Sequence, residues 1–103
     1  MSVEEPMDTK LHANYPNPFN PETWIPYQLA EDSDITVPIY DASGHIVRTL
    51  FVGHQTSGYY LSRSEAVCWD GKNELGEQVA GTVYICELAT LTFKQTRQLV
   101  IRK

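Results

Sequence analysis

The chain has 103 residues, of which 42% are hydrophobic and 20% charged, and a formal net charge of −5. This is the size and balance of one soluble globular domain with a single core. It excludes two classes of partner. No basic patch exists to displace counterions from a nucleic acid, and no window approaches the roughly 18 to 20 apolar residues of a membrane-spanning helix.

Residues 1–10 are acidic, polar and aperiodic, and are expected to form a disordered tail without the apolar run of a signal peptide. The segment Asn14-Tyr15-Pro16-Asn17-Pro18-Phe19-Asn20-Pro21 follows. Its prolines fix φ near −65° and remove backbone donors, and the residue before each is pushed toward extended conformations. Its asparagines can bond their own local backbone, as turn asparagines do. Composition alone fits a rigid linker as well as an ordered entry into the domain.

Ile25, Tyr27 and Leu29 then alternate with Trp24, Pro26 and Gln28, the period of a half-buried strand. Pro26 confines that strand to an edge or to a ladder position that needs no N–H. After a turn at Glu31–Asp34, Ile35, Val37 and Ile39 define a second strand, with Pro38 facing the other way. Asp41-Ala42-Ser43-Gly44 reads as a turn. His45 to Val52 gives a third strand, and Tyr59 to Trp69 contains a fourth, strongest over Ala66–Trp69. A polar turn runs from Asp70-Gly71 to Leu75-Gly76, and Gln78-Val79 can add a short strand. Val83–Ala89 and Phe93–Arg102 are expected to pair as a terminal hairpin. Strands at this spacing, with turn signals between them and no sustained helical period, indicate an all-β fold, an antiparallel sandwich.

No catalytic set is evident. His12, His45 and His54 lie apart, without metal-ligand spacing, and no serine sits in a Gly-x-Ser-x-Gly elbow. The loop Asp70–Glu77 offers oxygen ligands but lacks the spacing of a calcium loop, and Lys72 adds an opposing charge. A structural reading fits it better. Asp70 and Asn73 cap turn backbone, Gly71 and Gly76 supply conformations other residues resist, and Trp69 anchors the core. If Trp69 points inward, period two turns Cys68 outward, so Cys68 and Cys86 are read as free thiols. Tyr59, Tyr60 and Trp24 remain as surface aromatics, too few for a sugar-binding row.

Four motifs carry a family resemblance. Tyr15–Pro21 resembles the "YPNPFNP" opening of the C-terminal sorting domains of type IX secretion cargo, and equally of the immunoglobulin-like domain of the flagellar hook-capping protein. Ile39–Gly44 is similar to the family's "IYD-x-x-G". Trp69–Gly76 is similar to "WDG-x-(D/N)-x-x-G", and Thr96–Lys103 to "TRKM(V/L)I-x-K". The resemblance runs in order from Leu11 to the last residue. It implies one immunoglobulin-like sandwich of about seven strands over residues 11–103.

It also implies a non-enzymatic module without cofactor or metal that directs an upstream cargo domain across the outer membrane. Such a module is secreted or held at the cell surface, by way of the periplasm, as the tail of a longer protein. The alternative is a structural assembly or adhesion module of the hook-capping type, with carbohydrate binding as a variant. The expected recognition residues are Thr96, Arg97, Arg102 and Lys103, on a terminal strand whose open edge a secretion-machinery protein completes by strand addition. The structural motif comprises Asn14, Tyr15, Pro16, Asn17, Pro18, Phe19, Asn20, Pro21, Trp69, Asp70, Gly71 and Gly76. Thr90-Leu91-Thr92-Phe93 departs from the family's glycine-containing last turn. Leu91 is expected at an exposed tip, and the register of that hairpin is left open. A monomer is the expected state, although that tip and an open edge leave room for self-association.

Overall fold

The structure is a computed structural model that describes residues 6–102. It is all-β, and the strands are β1 (Lys10–Leu11), β2 (Thr23–Ile25), β3 (Tyr27–Leu29), β4 (Ser33–Asp41), β5 (Ile46–Gln55), β6 (Gly58–Tyr60), β7 (Val67–Trp69), β8 (Val83–Ala89) and β9 (Lys94–Val100). One layer is a four-stranded antiparallel sheet in the order β5-β4-β8-β9. The other consists of β1-β3-β6 and β2-β7. Between the layers lies one apolar cluster that includes Leu11, Ile25, Leu29, Val37, Trp69 and Leu99. This is the antiparallel sandwich the alternation predicts, of the immunoglobulin-like kind the resemblance implies.

The single strand expected over Trp24–Leu29 is two strands, because Pro26 cannot donate to a ladder. The chain pairs with β7 before Pro26 and with β1 and β6 after it. The run expected over Tyr59–Trp69 divides at the matching place. Tyr27 lies opposite Tyr60 and Ile25 opposite Val67, so residues 61–66 loop out beside Pro26. Ser62, Arg63 and Ser64 therefore lie in a turn, not a strand, with Glu65 N and Ala66 N donating to Ser62 O.

Two further expectations change. Gln78-Val79 forms only an isolated bridge, Gln78 to Lys72, and no strand. Of the expected tail, residues 1–5 lie outside the described residues, whereas Lys10 pairs with Gln28, and Ala30 N donates to Thr9 Oγ1. The tail is thus shorter than its composition suggests, because the β3 edge captures its last residues. Pro38 sits in the central strand β4. The pairing of β4 with β8 is interrupted between Thr36↔Ala89 and Ile39↔Cys86, where the proline has no N–H to give.

The two cysteines are unbridged: Cys68 is exposed and Cys86 buried. Burial pushes the Cys86 thiol up to about 12. The Cys68 thiol is raised by partial burial and by the Glu22 carboxylate, to which it donates at 3.8 Å. At pH 8 a thiol with a pKa near 12 is ionised in only about one molecule in 10,000. A maleimide is therefore expected to add one label to the native protein, at Cys68, and the second only in denaturant. Intact-mass analysis reads this directly, and two labels on the native chain would contradict the buried position of Cys86.

Candidate functional site

The proline segment is an ordered part of the sandwich and ties its two layers together. At one end Tyr15 and Trp24 exchange backbone hydrogen bonds of 2.9 and 2.8 Å. At the other, Phe19 N donates to Val100 O at 2.9 Å and Arg102 N donates to Phe19 O at 3.0 Å, a parallel bridge between Phe19 and Ile101. The prolines occupy positions where no donor is required, and the remaining N–H groups of Tyr15 and Phe19 make the attachments.

Side chains reinforce both ends. Asn14 Nδ2 donates to Thr23 Oγ1 at 2.9 Å and to Pro16 O at 3.2 Å, and Thr23 Oγ1 donates to Pro16 O. Asn17 is not a local turn residue: its Oδ1 accepts from Val100 N at 3.1 Å. Phe19 is 1% exposed and packs edge-on against Trp69 with centroids 5.8 Å apart.

The Trp69–Gly76 motif supports this clasp from below. Gly71 has φ +75°, and a Cβ there would lie 2.7 Å from Pro21 O. Asp70 Oδ1 accepts from Lys72 N and from Arg48 Nη1, while Asn73 Oδ1 accepts from Leu75 N and Glu77 N. Those oxygens are engaged in holding the loop, which in turn covers part of the β5 edge: Glu74 N donates to Val47 O and Thr49 N to Glu74 Oε1. Trp69 Nε1 donates to Lys72 O, and the indole meets Tyr84 edge-on at 5.5 Å. Tyr84 Oη donates to Ala80 O at 2.8 Å, a tyrosine corner two residues before Cys86. The sequence reading missed that corner. Its signal was the Tyr-x-Cys spacing at the start of β8.

The terminal strand is the outer strand of its sheet, but its residues do not share one environment. Ile101 N donates to Thr82 O, so the backbone groups of Ile101, Leu99, Arg97 and Gln95 face β8. Those of Val100, Gln98, Thr96 and Lys94 face outward. The lead-in occupies the outward groups from Val100 onward. No backbone partner faces Lys94, Thr96 or Gln98 among the described residues.

Arg97, expected to be a recognition residue, turns inward: its Nε donates to Leu11 O at 2.9 Å, and Gln95 Oε1 accepts from Leu11 N at 2.7 Å. Two β9 side chains thus satisfy the open edge of β1 as a neighbouring strand would. Thr96 and Arg102 are exposed, and Lys103 lies outside the described residues. The hairpin before β9 keeps an unbroken register from Val83↔Val100 to Ala89↔Lys94 despite Leu91, which is 97% exposed at the tip. Thr90 explains this tolerance, its Oγ1 accepting from Thr92 N and Phe93 N.

The histidines remain separate: the rings of His12 and His54 are hydrogen-bonded to Gln28 and Asp34, and that of His45 lies 3.7 Å from the Asp41 carboxylate. Among the described residues no cluster of His, Cys, Asp or Glu is arranged to hold a metal ion. The surface aromatics do not form a row. Trp24 stacks with Tyr15 and lies beneath the Arg63 guanidinium at 4.3 Å, and Tyr60 stacks on Tyr27. Among the described residues no helix is long and apolar enough to cross a membrane.

These features define the class, an immunoglobulin-like β-sandwich whose most elaborated part is a backbone clasp at a sheet edge. The profile of the family described as "FlgD Ig-like domain" matches residues 21–92, and the chain belongs to that family. That family is a non-catalytic structural domain. Among solved structures, dimeric latent PorU from Porphyromonas gingivalis is similar with a TM-score of 0.64 and 18% identity, over 90% of this chain and 9% of that one. FlgD from P. aeruginosa is similar with a TM-score of 0.55 and 27% identity, over 71% of this chain and 52% of that one. The chain therefore spans less than two thirds of either protein. No curated protein matches it. The lead-in before Pro21 and all of β9 fall outside the family match, and these are the two segments that the clasp joins.

Proposed function

We propose that this chain is a non-catalytic sorting module, monomeric and without cofactor, that carries an upstream cargo protein across the outer membrane to the cell surface or medium. The observation that carries this reading is the β9 edge, where Lys94, Thr96 and Gln98 present unpaired backbone groups beside the clasp. Such an edge is a template for an added strand. The motif resemblance over Tyr15–Pro21 and Thr96–Lys103 supports the same role, as does the similarity to part of PorU, a fold-level likeness. Residues 11–103 act as one unit in it.

A second reading is favoured by the similarity to FlgD at 27% identity: an assembly or adhesion module that spaces or docks neighbouring domains. A reporter fused to the whole chain, in a host with a working type IX system, separates the two. Export of the fusion, with the reporter alone retained, is the expected result. A folded fusion that stays inside the cell would remove the sorting role and leave the assembly role.

A further inference from the structure

The clasp sets a limit on strand addition that the terminal strand alone would not have. Outward-facing backbone groups alternate along β9, and those of Val100 and Arg102 are already bonded to Asn17 Oδ1, Phe19 N and Phe19 O. Phe19 is not readily displaced, since its ring is buried against Trp69. At the other end the hairpin closes where Thr90 N donates to Phe93 O. The free edge therefore runs only from Lys94 to Gln98.

We propose that the recognition site is this window and not the final residues: a short extended segment of the partner pairs with the backbone of Lys94, Thr96 and Gln98, and abuts Asn17–Phe19 as an end stop. The stop fixes the register of the incoming strand, which an open edge would leave free to slip. Lys94 is exposed at the far end of the window, whereas Arg97 is held by Leu11 O, so the cation that the segment meets is Lys94. The segment suited to the window has about five residues in extended conformation, with a carboxylate where it passes Lys94. A lysine on an edge otherwise discourages pairing, so this charge rejects generic strands and admits an acidic one. Thr96 and Lys94 contribute through backbone and charge, and Arg102 through its bond to Phe19. This inference rests on the sorting reading and gives its site a length, a register and a charge preference.

Amide exchange on the isolated protein tests the geometry. Thr96 and Gln98 are expected to exchange at least about 100-fold faster than Leu99 and Val100, in keeping with unpaired against paired positions. Equal protection at Thr96 and Val100 would overturn the proposal. Export of the reporter fusion tests the use of the window. Thr96→Pro removes an outward N–H and no bond to β8, and is expected to cut export by about tenfold or more while the domain still melts cooperatively. Lys94→Glu, which reverses an exposed charge without touching the core, is the second variant should the proline variant misfold, and is expected to lower export several-fold. An exported wild-type fusion with folded Thr96→Pro and Lys94→Glu variants exported equally well would overturn the window and leave the sorting reading intact. Retention of the wild-type fusion itself would remove the sorting reading and this deepening with it.

Discussion

Replacing Phe19 with alanine is expected to cost about 3–5 kcal/mol of stability, the range for truncating a buried phenylalanine. Few single changes in this chain should do more harm. The ring is 1% exposed and begins an edge-to-face series that continues through Trp69 to Tyr84. Its backbone holds Val100 O and Arg102 N, so loss of the ring also loosens the end of the terminal strand. Domains of this size have total stabilities of about 5–15 kcal/mol. The variant is therefore expected to lose roughly 15–30 °C in Tm. Asn20→Ala, at an exposed position in the same segment, is the control and should change stability little. Urea or thermal unfolding followed by tryptophan fluorescence measures both. A Phe19→Ala shift no larger than that of the control would mean that the segment is a linker lying on the domain and not part of its core.

Gly71→Ala is expected to be the more damaging of two otherwise similar glycine substitutions. Gly71 and Gly76 both have left-handed backbones, with φ of +75° and +80°. A side chain there costs about 1–2 kcal/mol from conformation alone. At Gly76 nothing lies within 4 Å of the added Cβ, so that cost is the whole effect. At Gly71 the Cβ would sit 2.7 Å from Pro21 O, a backbone atom that cannot swing away as a side chain can. Either the loop or the lead-in must shift, and a loss of about 3 kcal/mol or more is expected, near the upper end for such strain. Parallel denaturant titrations of the two variants decide the point. Equal losses would show that the contact between the loop and Pro21 relaxes freely, and would weaken the case that the Trp69–Gly76 motif braces the lead-in.

Much of the fold was legible because its signals are local. Alternation over Ile35–Ile39 and Val83–Ala89, the Asp-Gly and Leu-Gly punctuation, and the inward Trp69 with outward Cys68 each depend on residues within one or two positions. The errors cluster where the backbone breaks its own pattern. Pro26 divides one strand between two partners, and residues 61–66 bulge to match it, because a missing N–H must fall where no ladder bond is required. Leu91 suggested a disturbed turn, yet Thr90 stabilises the hairpin through its hydroxyl and keeps the register. The candidate site was only half legible. The motif residues identified the lead-in and the terminal strand as the segments of interest. Nothing in them showed that Asn17 reaches Val100 or that Arg97 is turned inward to Leu11.

The sequence by itself determined an all-β domain of one core, its turns and most of its strand-forming runs, because hydrophobic period and turn chemistry act between near neighbours. Only the tertiary structure decided which part of the terminal strand remains open. That depends on Phe19 meeting Ile101 and on Leu11 meeting Gln95 and Arg97, contacts between segments more than 80 residues apart. Their partners are chosen by the packing of two sheets and by the need to satisfy buried backbone groups, and no local spacing encodes that choice.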